Sequence, residues 1–330
     1  MLSKHQKFFI KNIFKKLFFI FKKLFYLFIF NSLIKLKFLK KNITFYLKFL
    51  YHDELLYGNL IDAKKYYYQI ISTKSSKLIN HNIVDNFFKK YQSTDLSSDF
   101  DHFIRNKKVA IVGPSAQEYN YGEEIDSFDI VVRTNFSSKN QLDYNLYGSN
   151  CDISYYNNIW TNSRMEFVRP IIPKLKWLCF KDVSPLNQTN YFSDSDISKF
   201  RFLRDCNGIF KIGSPLGIQN IITDLILSEP KSIKLFSITS FLGDRPYSKN
   251  YTQYRNNEWK NVYTATSLRL HDLIQNFIFL KSCINIFDID LCKITNQYHS
   301  IDLDEYLNRI NFIYGNNFFL KIPLPHGDKS

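Results

Sequence analysis

The sequence of 330 residues lacks the cysteine patterns of disulfide-rich and zinc-binding proteins. No C-x-x-C pair occurs, and no cysteine and histidine have the spacing of a structural zinc site. The first residues show no secretory signal with a small-residue cleavage site. We therefore expect reduced thiols, as in a cytosolic protein, at all five cysteines: Cys151, Cys179, Cys206, Cys283 and Cys292.

Two common phosphate-binding motifs are also absent. The apolar run 109–112 ends at Gly113, as a buried parallel strand ends before a ligand-binding loop. A dinucleotide fingerprint needs glycine at the positions that Ser115 and Glu118 occupy, and a P-loop needs a lysine, which is missing from 109–138. A dinucleotide-binding fingerprint and a P-loop are therefore both excluded at Gly113.

Acidic residues and arginine are missing from residues 1–50, which carry 12 lysines, so residues 51–330 carry only +2 of the net charge of +14. Within residues 1–50, the longest run without a charged residue is Leu24–Ile34. It has 11 residues, whereas a helix that spans a bilayer needs roughly 20. The lysines and phenylalanines recur at helical spacing. We predict an amphipathic segment on the cytoplasmic membrane face, the alternative being a helical hairpin packed on the domain. The nearly neutral remainder argues against nucleic-acid binding.

Strand-like and helix-like segments alternate from Lys107 onward, which predicts an α/β fold with a Rossmann-like, mainly parallel sheet flanked by helices. We divide the chain into a basic helical region (1–52), a helical connector (53–106) and a catalytic domain (107–330). Helices are predicted at 216–228, 270–282 and 303–310. The predicted strands are 109–112, 130–133, 153–156, 175–180, 209–212, 233–238 and 284–287.

The segment from Lys107 to Asn135 resembles the large sialyl motif of the eukaryotic-type sialyltransferases, glycosyltransferase family 29. It reads Val-Ala-Ile-Val-Gly-x-Ser, followed by Tyr-Gly-x-Glu-Ile-Asp-Ser-x-Asp-x-Val-x-Arg-x-Asn. The segment 213–217, Gly-Ser-Pro-Leu-Gly, is similar to the small motif, and His271-Asp272 to the very small motif. Bacterial family 42 sialyltransferases are a near neighbour. The resemblance implies a GT-A-like sialyltransferase fold that uses a CMP-sugar donor and neither metal nor cofactor.

The large motif implies a cradle for the cytidine monophosphate of the donor. Gly113 lets the backbone approach a ligand closely, and Ser115 offers a hydroxyl at a strand end. The resemblance assigns donor binding to Ser115, Asn135 and Asn157, and the alternative for each asparagine is a turn-forming role after a strand. Arg133 is either a phosphate ligand or the partner of the acidic residues that brace this motif, Asp126 and Asp129.

The small motif adds Ser214 and Gly217, where a helix N-terminus can present N–H groups to an anion. Ser214 is displaced by one residue from the family's hydroxyl, and an N-capping role is an equal alternative. His271 is the predicted general base, since a histidine that titrates near neutrality can accept the proton of an acceptor hydroxyl. Asp272 is expected to stabilise the first turn of the helix.

The family's third motif, which carries a histidine, has no histidine counterpart in residues 251–257. If stabilisation of the donor phosphate is retained, Tyr254 or Arg255 must supply it. The expected function is inverting, metal-independent transfer of sialic acid from CMP-sialic acid to a hydroxyl of a glycan, such as a lipid-linked surface oligosaccharide. The alternatives are a glycosyltransferase with another nucleotide sugar and a non-catalytic, membrane-associated nucleotide-binding protein.

Overall fold

The computed structural model describes the chain in segments that form two compact units. In the first unit, helix α1 (Leu60–Ile71) buries one face, and the Tyr67 ring lies 6.1 Å from that of Tyr51. The second unit contains every other element named below. The described residues are 47–48, 50–51, 54, 60–72, 78–91, 98–138, 142–157, 165–181, 192–210, 214–243 and 271–314.

Seven parallel strands form one sheet in the second unit, in the order β5-β4-β3-β2-β1-β6-β7. The central strands are rich in valine and isoleucine because both of their faces are covered, as parallel sheets require. The predicted mainly parallel sheet is therefore confirmed. The strands are β1 (Lys108–Val112), β2 (Ile130–Thr134), β3 (Ile153–Tyr156), β4 (Trp177–Phe180), β5 (Phe200–Phe202), β6 (Ser232–Phe236) and β7 (Asp290–Leu291).

Helices cover both faces of this sheet. Two short 3-10 helices, Arg169–Lys174 and Asn207–Ile209, accompany them. The α-helices are α2 (His81–Tyr91), α3 (Asp99–Ile104), α4 (Gly122–Asp126), α5 (Tyr144–Tyr147), α6 (Met165–Val168), α7 (Asp194–Ile197), α8 (Gly217–Ile226), α9 (Leu273–Ile286), α10 (Lys293–His299) and α11 (Leu303–Tyr314). None of the helices in the described segments is long and apolar enough to cross a membrane.

The pleat of the strands sorts the core into two layers. Val109 and Ile111 of β1 face one cluster, which includes Phe88 of α2 and Phe100 of α3. Alternate residues of the same strands face a second cluster with α4, α5 and α10. Helices α2 and α3 fall in the predicted connector, but they contribute fully buried side chains to the core of the sheet.

Two predicted strands differ from the structure, and two observed strands were not predicted. The prediction of a strand at 284–287 is wrong, because residues 284–286 form the last turn of helix α9 and Phe287 is its C-cap. Ile209 ends a 3-10 helix instead of starting a strand. Strands β5 and β7 were not predicted, since three and two residues are too few to show a period of two.

The order of the strands creates a switch point beside β1. The chain runs from β1 through β2 to β5 on one side, then returns to the other side of β1 as β6. In open α/β sheets, ligands bind at such a point, outside the carboxyl ends of the strands. Helices α8 and α9 precede β6 and β7, so their N-termini lie toward this same edge.

Candidate functional site

The loops that follow β1 and β6 pack tightly against each other at the switch point. The Gly113 N–H donates to the Phe236 carbonyl at 2.8 Å, and the Ser115 N–H donates to the Ser237 carbonyl at 3.1 Å. A Cβ at Gly113 would lie 2.4 Å from the Ser237 carbonyl oxygen and 2.6 Å from Cγ1 of Ile238. Glycine is therefore required here for contact with the chain's own loop, whereas the sequence predicted close approach to a ligand.

Two buried hydroxyls meet where these loops touch. Ser115 Oγ lies 3.0 Å from Thr239 Oγ1. Gln117 Nε2 donates to Ser237 Oγ at 3.0 Å, and the Tyr147 hydroxyl donates to the Ser115 carbonyl at 3.2 Å. The structure thus pairs the predicted Ser115 with Thr239, which the sequence analysis missed. Thr239 follows β6 closely, as Ser115 follows β1, and this placement was the available signal.

The loop after β6 has an unusual backbone conformation. Ser237, Ser240 and Phe241 have φ angles of +54°, +47° and +71°, in the left-handed region that favours glycine. Each residue held in this conformation lowers the stability of the fold by about 1–3 kcal/mol, and such residues occur preferentially at binding and catalytic sites. The Ile238 N–H donates to Thr295 Oγ1 at 3.2 Å, which helps to hold the loop.

Asn135 and Asn157, two predicted donor-binding residues, lie together at the ends of β2 and β3. The Asn157 N–H donates to Asn135 Oδ1 at 3.1 Å, and the Asn135 N–H donates to the Tyr155 carbonyl at 2.7 Å. Asn135 has a φ of +48°, a conformation that asparagine tolerates better than most residues. Its side chain therefore has a structural role in joining the two strand ends, and donor binding by either asparagine stays a prediction.

Arg133 is an internal structural residue. Its side chain is buried and donates to the main-chain carbonyls of Asn150, Tyr147 and Gly148 at 2.8, 2.6 and 3.1 Å. Burial lowers the pKa of the guanidinium, and the nearby Asp126 partly opposes this effect. The carbonyl groups at the end of α5 thus take the place of the predicted phosphate or ion-pair partner.

The predicted bracing role of the two acidic residues matches their contacts. Asp126 accepts hydrogen bonds from the N–H groups of Ser149 and Asn150 at 2.8 and 2.9 Å. Burial raises the pKa of Asp126, but these bonds outweigh burial and hold it below its usual range. Asp129 accepts from the Lys108 N–H at 2.8 Å. Both carboxylates therefore hold the large motif together.

His271 and Ser214, from two different motifs, meet at the N-termini of α8 and α9. His271 Nδ1 lies 3.0 Å from the Ser214 carbonyl oxygen and 3.1 Å from Ser214 Oγ. Leu216 is the N-cap of α8, and no side chain caps that helix, so the alternative of Ser214 as N-cap is wrong. Gly217 is the first residue of α8, and a Cβ there would meet nothing within 4 Å.

The other polar groups at the start of α9 support this arrangement. Asp272 is the N-cap of α9 and accepts from the Gln275 N–H at 3.0 Å, as its expected role at the first turn requires. Asn276, a buried residue that the sequence analysis missed, donates to the Ser214 carbonyl at 3.1 Å. An asparagine within an apolar helix was the only available signal for its role.

Burial lowers the pKa of His271, and the charge of Lys181, directly after β4, lowers it further. The hydrogen bond with Ser214 opposes both effects without reversing them. The largest cause of the lowered pKa of His271 is therefore burial. A neutral imidazole at pH 7 has one nitrogen able to accept a proton.

Tyr254, Arg255 and residues 1–46 lie outside the described part of the chain, so their predicted roles stay predictions. Among the residues described, no group of three or more histidine, cysteine, aspartate or glutamate side chains is arranged to hold a metal ion. All five cysteines are free. Burial raises the pKa of Cys179 and of Cys206 to about 12, so these thiols are poor nucleophiles.

No protein-family model matches the chain, and no curated protein matches it. Solved structures do match. The chain is similar to bacterial sialyltransferases. The sialyltransferase CstII from Campylobacter jejuni, in complex with cytidine-5'-monophosphate, is 14% identical with a TM-score of 0.41, over 67% of this chain and 88% of that chain.

Two further structures from this group have similar values. The monofunctional alpha-2,3-sialyltransferase Cst-I from Campylobacter jejuni is 14% identical with a TM-score of 0.42, over 64% of this chain and 84% of that one. CstII in complex with a trisaccharide acceptor and CMP is 14% identical with a TM-score of 0.40, over 66% of this chain and 89% of that one. Similarity of this size assigns the chain to no family, and these bacterial structures give no support to the predicted resemblance to family 29.

Proposed function

We propose that the chain is an inverting, metal-independent glycosyltransferase that transfers sialic acid from CMP-sialic acid to a hydroxyl of a glycan. One observation carries this proposal. The ring of His271 lies against Ser214, so the histidine of the very small motif meets the small motif, 57 residues away in the sequence. This contact lies at the N-termini of two helices that approach the binding edge of the sheet.

In this proposal His271 is the general base. A carbonyl oxygen cannot donate, so the bond between Nδ1 and the Ser214 carbonyl requires the proton on Nδ1 and leaves Nε2 able to accept one. Nε2 takes the proton of the acceptor hydroxyl as the oxygen attacks the anomeric carbon, and the bond to the CMP oxygen breaks on the opposite face. The lowered pKa keeps the imidazole neutral at neutral pH, so that Nε2 carries no proton.

The donor would bind along the carboxyl edge. Ser115 and Thr239 supply hydroxyls at the switch point, and the amides of Asn135 and Asn157 suit a ribose or a cytosine edge. The N-terminus of α8 at Gly217 suits the phosphate, because the N-cap residue Leu216 has no side-chain oxygen that could accept from the first N–H groups. Arg255 and Tyr254 would add further stabilisation of the phosphate.

The basic region 1–52 would hold the enzyme on the cytoplasmic face of the membrane, close to a lipid-linked acceptor. Twelve lysines without any acidic residue in 1–50 support this proposal, since each basic residue near an anionic surface contributes about 1 kcal/mol. Deleting residues 1–50 should move the protein from the membrane fraction to the soluble fraction. Membrane binding that persists after the deletion would refute the anchoring role.

Incubation with CMP-sialic acid and a glycan array, followed by mass spectrometry of the products, tests the activity directly. His271→Ala should lower turnover about 10²- to 10⁴-fold, the usual contribution of a general base, while calorimetry should show unchanged CMP binding. His102→Ala, which changes an exposed histidine of α3, is the matched control. Near-normal turnover in His271→Ala would exclude this base.

A nucleotide panel in a thermal-shift assay separates the alternatives. Protection by CMP and CMP-sialic acid supports the proposal, and protection by nucleoside diphosphate sugars alone would indicate a different donor. Binding of CMP-sialic acid without transfer to any acceptor on the array would favour a non-catalytic nucleotide-binding protein.

A further inference from the structure

The amide of Asn276 joins the two segments that form the proposed catalytic centre. Nδ2 donates to the Ser214 carbonyl at 3.1 Å and to the Asp272 carbonyl at 2.8 Å. Oδ1 accepts from the Leu216 N–H at 2.7 Å. The side chain is almost completely buried, at 1% exposure. The amide of Asn276 therefore connects the N-terminus of α9 with the loop that precedes α8, and both of its N–H groups donate a hydrogen bond.

We propose that Asn276 is a positioning residue that determines which nitrogen of His271 acts as the base. This inference rests on the proposed function of His271. Asn276 Nδ2 and His271 Nδ1 approach the same acceptor, the Ser214 carbonyl oxygen, at 3.1 and 3.0 Å. A carbonyl oxygen has two lone pairs, so it can accept both bonds at once.

Because Asn276 fixes this carbonyl, it fixes the acceptor that the imidazole faces. Facing an acceptor, Nδ1 must carry the proton, and Nε2 is then the proton-free nitrogen. Ser214 Oγ can serve either as donor or as acceptor, so the hydroxyl alone would not select a tautomer. The carbonyl makes the selection, and Asn276 holds the carbonyl in place.

Gln275 provides a matched control on the same helix. It is also an almost completely buried amide, and it donates to Asp272 Oδ2 at 2.5 Å and accepts from the Ile79 N–H at 3.3 Å. Neither of these bonds involves Ser214 or His271. Replacing Gln275 by Met and Asn276 by Leu therefore removes a buried amide of similar environment in each case, but only the second change releases the Ser214 carbonyl.

Nitrogen-15 NMR of histidine-labelled protein without substrate reports the tautomer and the pKa of each imidazole. The chain has seven histidines, and the spectrum of His271→Gln assigns the signal of residue 271. The unmodified protein should show His271 protonated on Nδ1. Asn276→Leu should show a mixture of tautomers or the Nε2-protonated form, whereas Gln275→Met should keep the signal of the unmodified protein.

Kinetics give the second readout. Asn276→Leu should lower kcat about 10- to 100-fold, the loss expected from a misplaced catalytic group, with the KM for the donor changed less than about threefold. Its pH profile should shift together with the NMR titration of His271. If Asn276→Leu does not fold, Asn276→Ser, which also removes the amide carbonyl and the second donor, replaces it.

Two results would overturn the inference: Nε2 protonation of His271 in the unmodified protein, or Nδ1 protonation that persists in the folded Asn276 variants. The first needs no variant, so a folding failure leaves the inference testable. Absence of sialic acid transfer would refute the proposed function instead, because the NMR measurement of the tautomer requires no activity.

Discussion

Asp224→Asn tests how much the buried ionic cluster that holds helix α8 against the sheet contributes to stability. The Asp224 carboxylate is completely buried and forms ion pairs with Arg201 and Arg204. It also accepts a hydrogen bond from the Tyr155 hydroxyl of β3 at 2.7 Å. The substitution keeps the size of the side chain but removes the negative charge that both guanidinium groups face. We expect a large loss of stability.

The magnitude follows from the burial of the partners. Breaking a buried ion pair by removing one member costs about 3–5 kcal/mol, because the remaining charge stays buried without compensation. Part of this loss is compensated, because the side chains of Arg201 and Arg204 are 15% and 31% exposed and Arg204 keeps a second carboxylate partner, Asp101, at 2.9 Å. We therefore expect a cost near the lower end, about 3 kcal/mol, which corresponds to a fall in Tm of about 6–12 °C.

Asp85→Asn is the matched control, since it removes an exposed ion pair. Lys89 Nζ lies 2.6 Å from Asp85 Oδ2 one turn along helix α2, with side-chain exposures of 66% and 31%. Exposed pairs of this kind contribute about 0.3–0.5 kcal/mol, so Tm should fall by no more than about 2 °C. Scanning calorimetry measures both variants. Equal shifts in the two would refute the assignment of the cluster as a major source of stability.

Two further predictions follow from the site. Gly113→Ala should lower the free energy of unfolding by about 1–3 kcal/mol and weaken CMP binding, because its Cβ would lie 2.4 Å from a main-chain oxygen of the adjoining loop. Gly217→Ala is the control and should leave the free energy of unfolding nearly unchanged, because its Cβ would meet nothing within 4 Å. Equal Tm values for the two variants would contradict this prediction. Lys181→Met should raise the pKa of His271, which burial and the lysine charge both lower, so the acidic limb of the kcat/KM profile should move to higher pH. Lys176→Met, at the opposite end of β4, should leave the profile in place, and a profile equally unmoved in Lys181→Met would exclude the electrostatic effect.

Much of the sheet was predictable from the sequence because its central strands are short, continuous apolar runs. Strands β1, β2 and β3 were predicted within one residue of their bounds. Ile284–Phe287 was not predictable by the same signal, because a buried helix end and a buried strand are equally apolar over four residues. The apolar pattern therefore identifies buried segments better than it identifies their secondary structure.

The roles of the polar residues were harder to predict. Arg133 has the sequence context of a phosphate ligand, yet its partners are carbonyls at the end of a short helix. Asn135 has the context of a nucleotide-binding residue, yet its oxygen accepts from the neighbouring strand end. Such contacts depend on which backbone groups are left without partners after folding, and no single segment of the sequence contains that information.

The sequence by itself determined the alternating α/β pattern, because this pattern depends on local composition and spacing. The motif residues and the candidate base came from the resemblance to a known family. Only the tertiary structure decided how these residues combine. It brings Ser115 to Thr239, 124 residues away, and His271 to Ser214, 57 residues away. It also partly buries the imidazole and places a carbonyl opposite Nδ1. The physical reason is that burial and hydrogen-bond partners arise from packing between distant segments, and these two factors select the protonation state and the reactive nitrogen of a histidine.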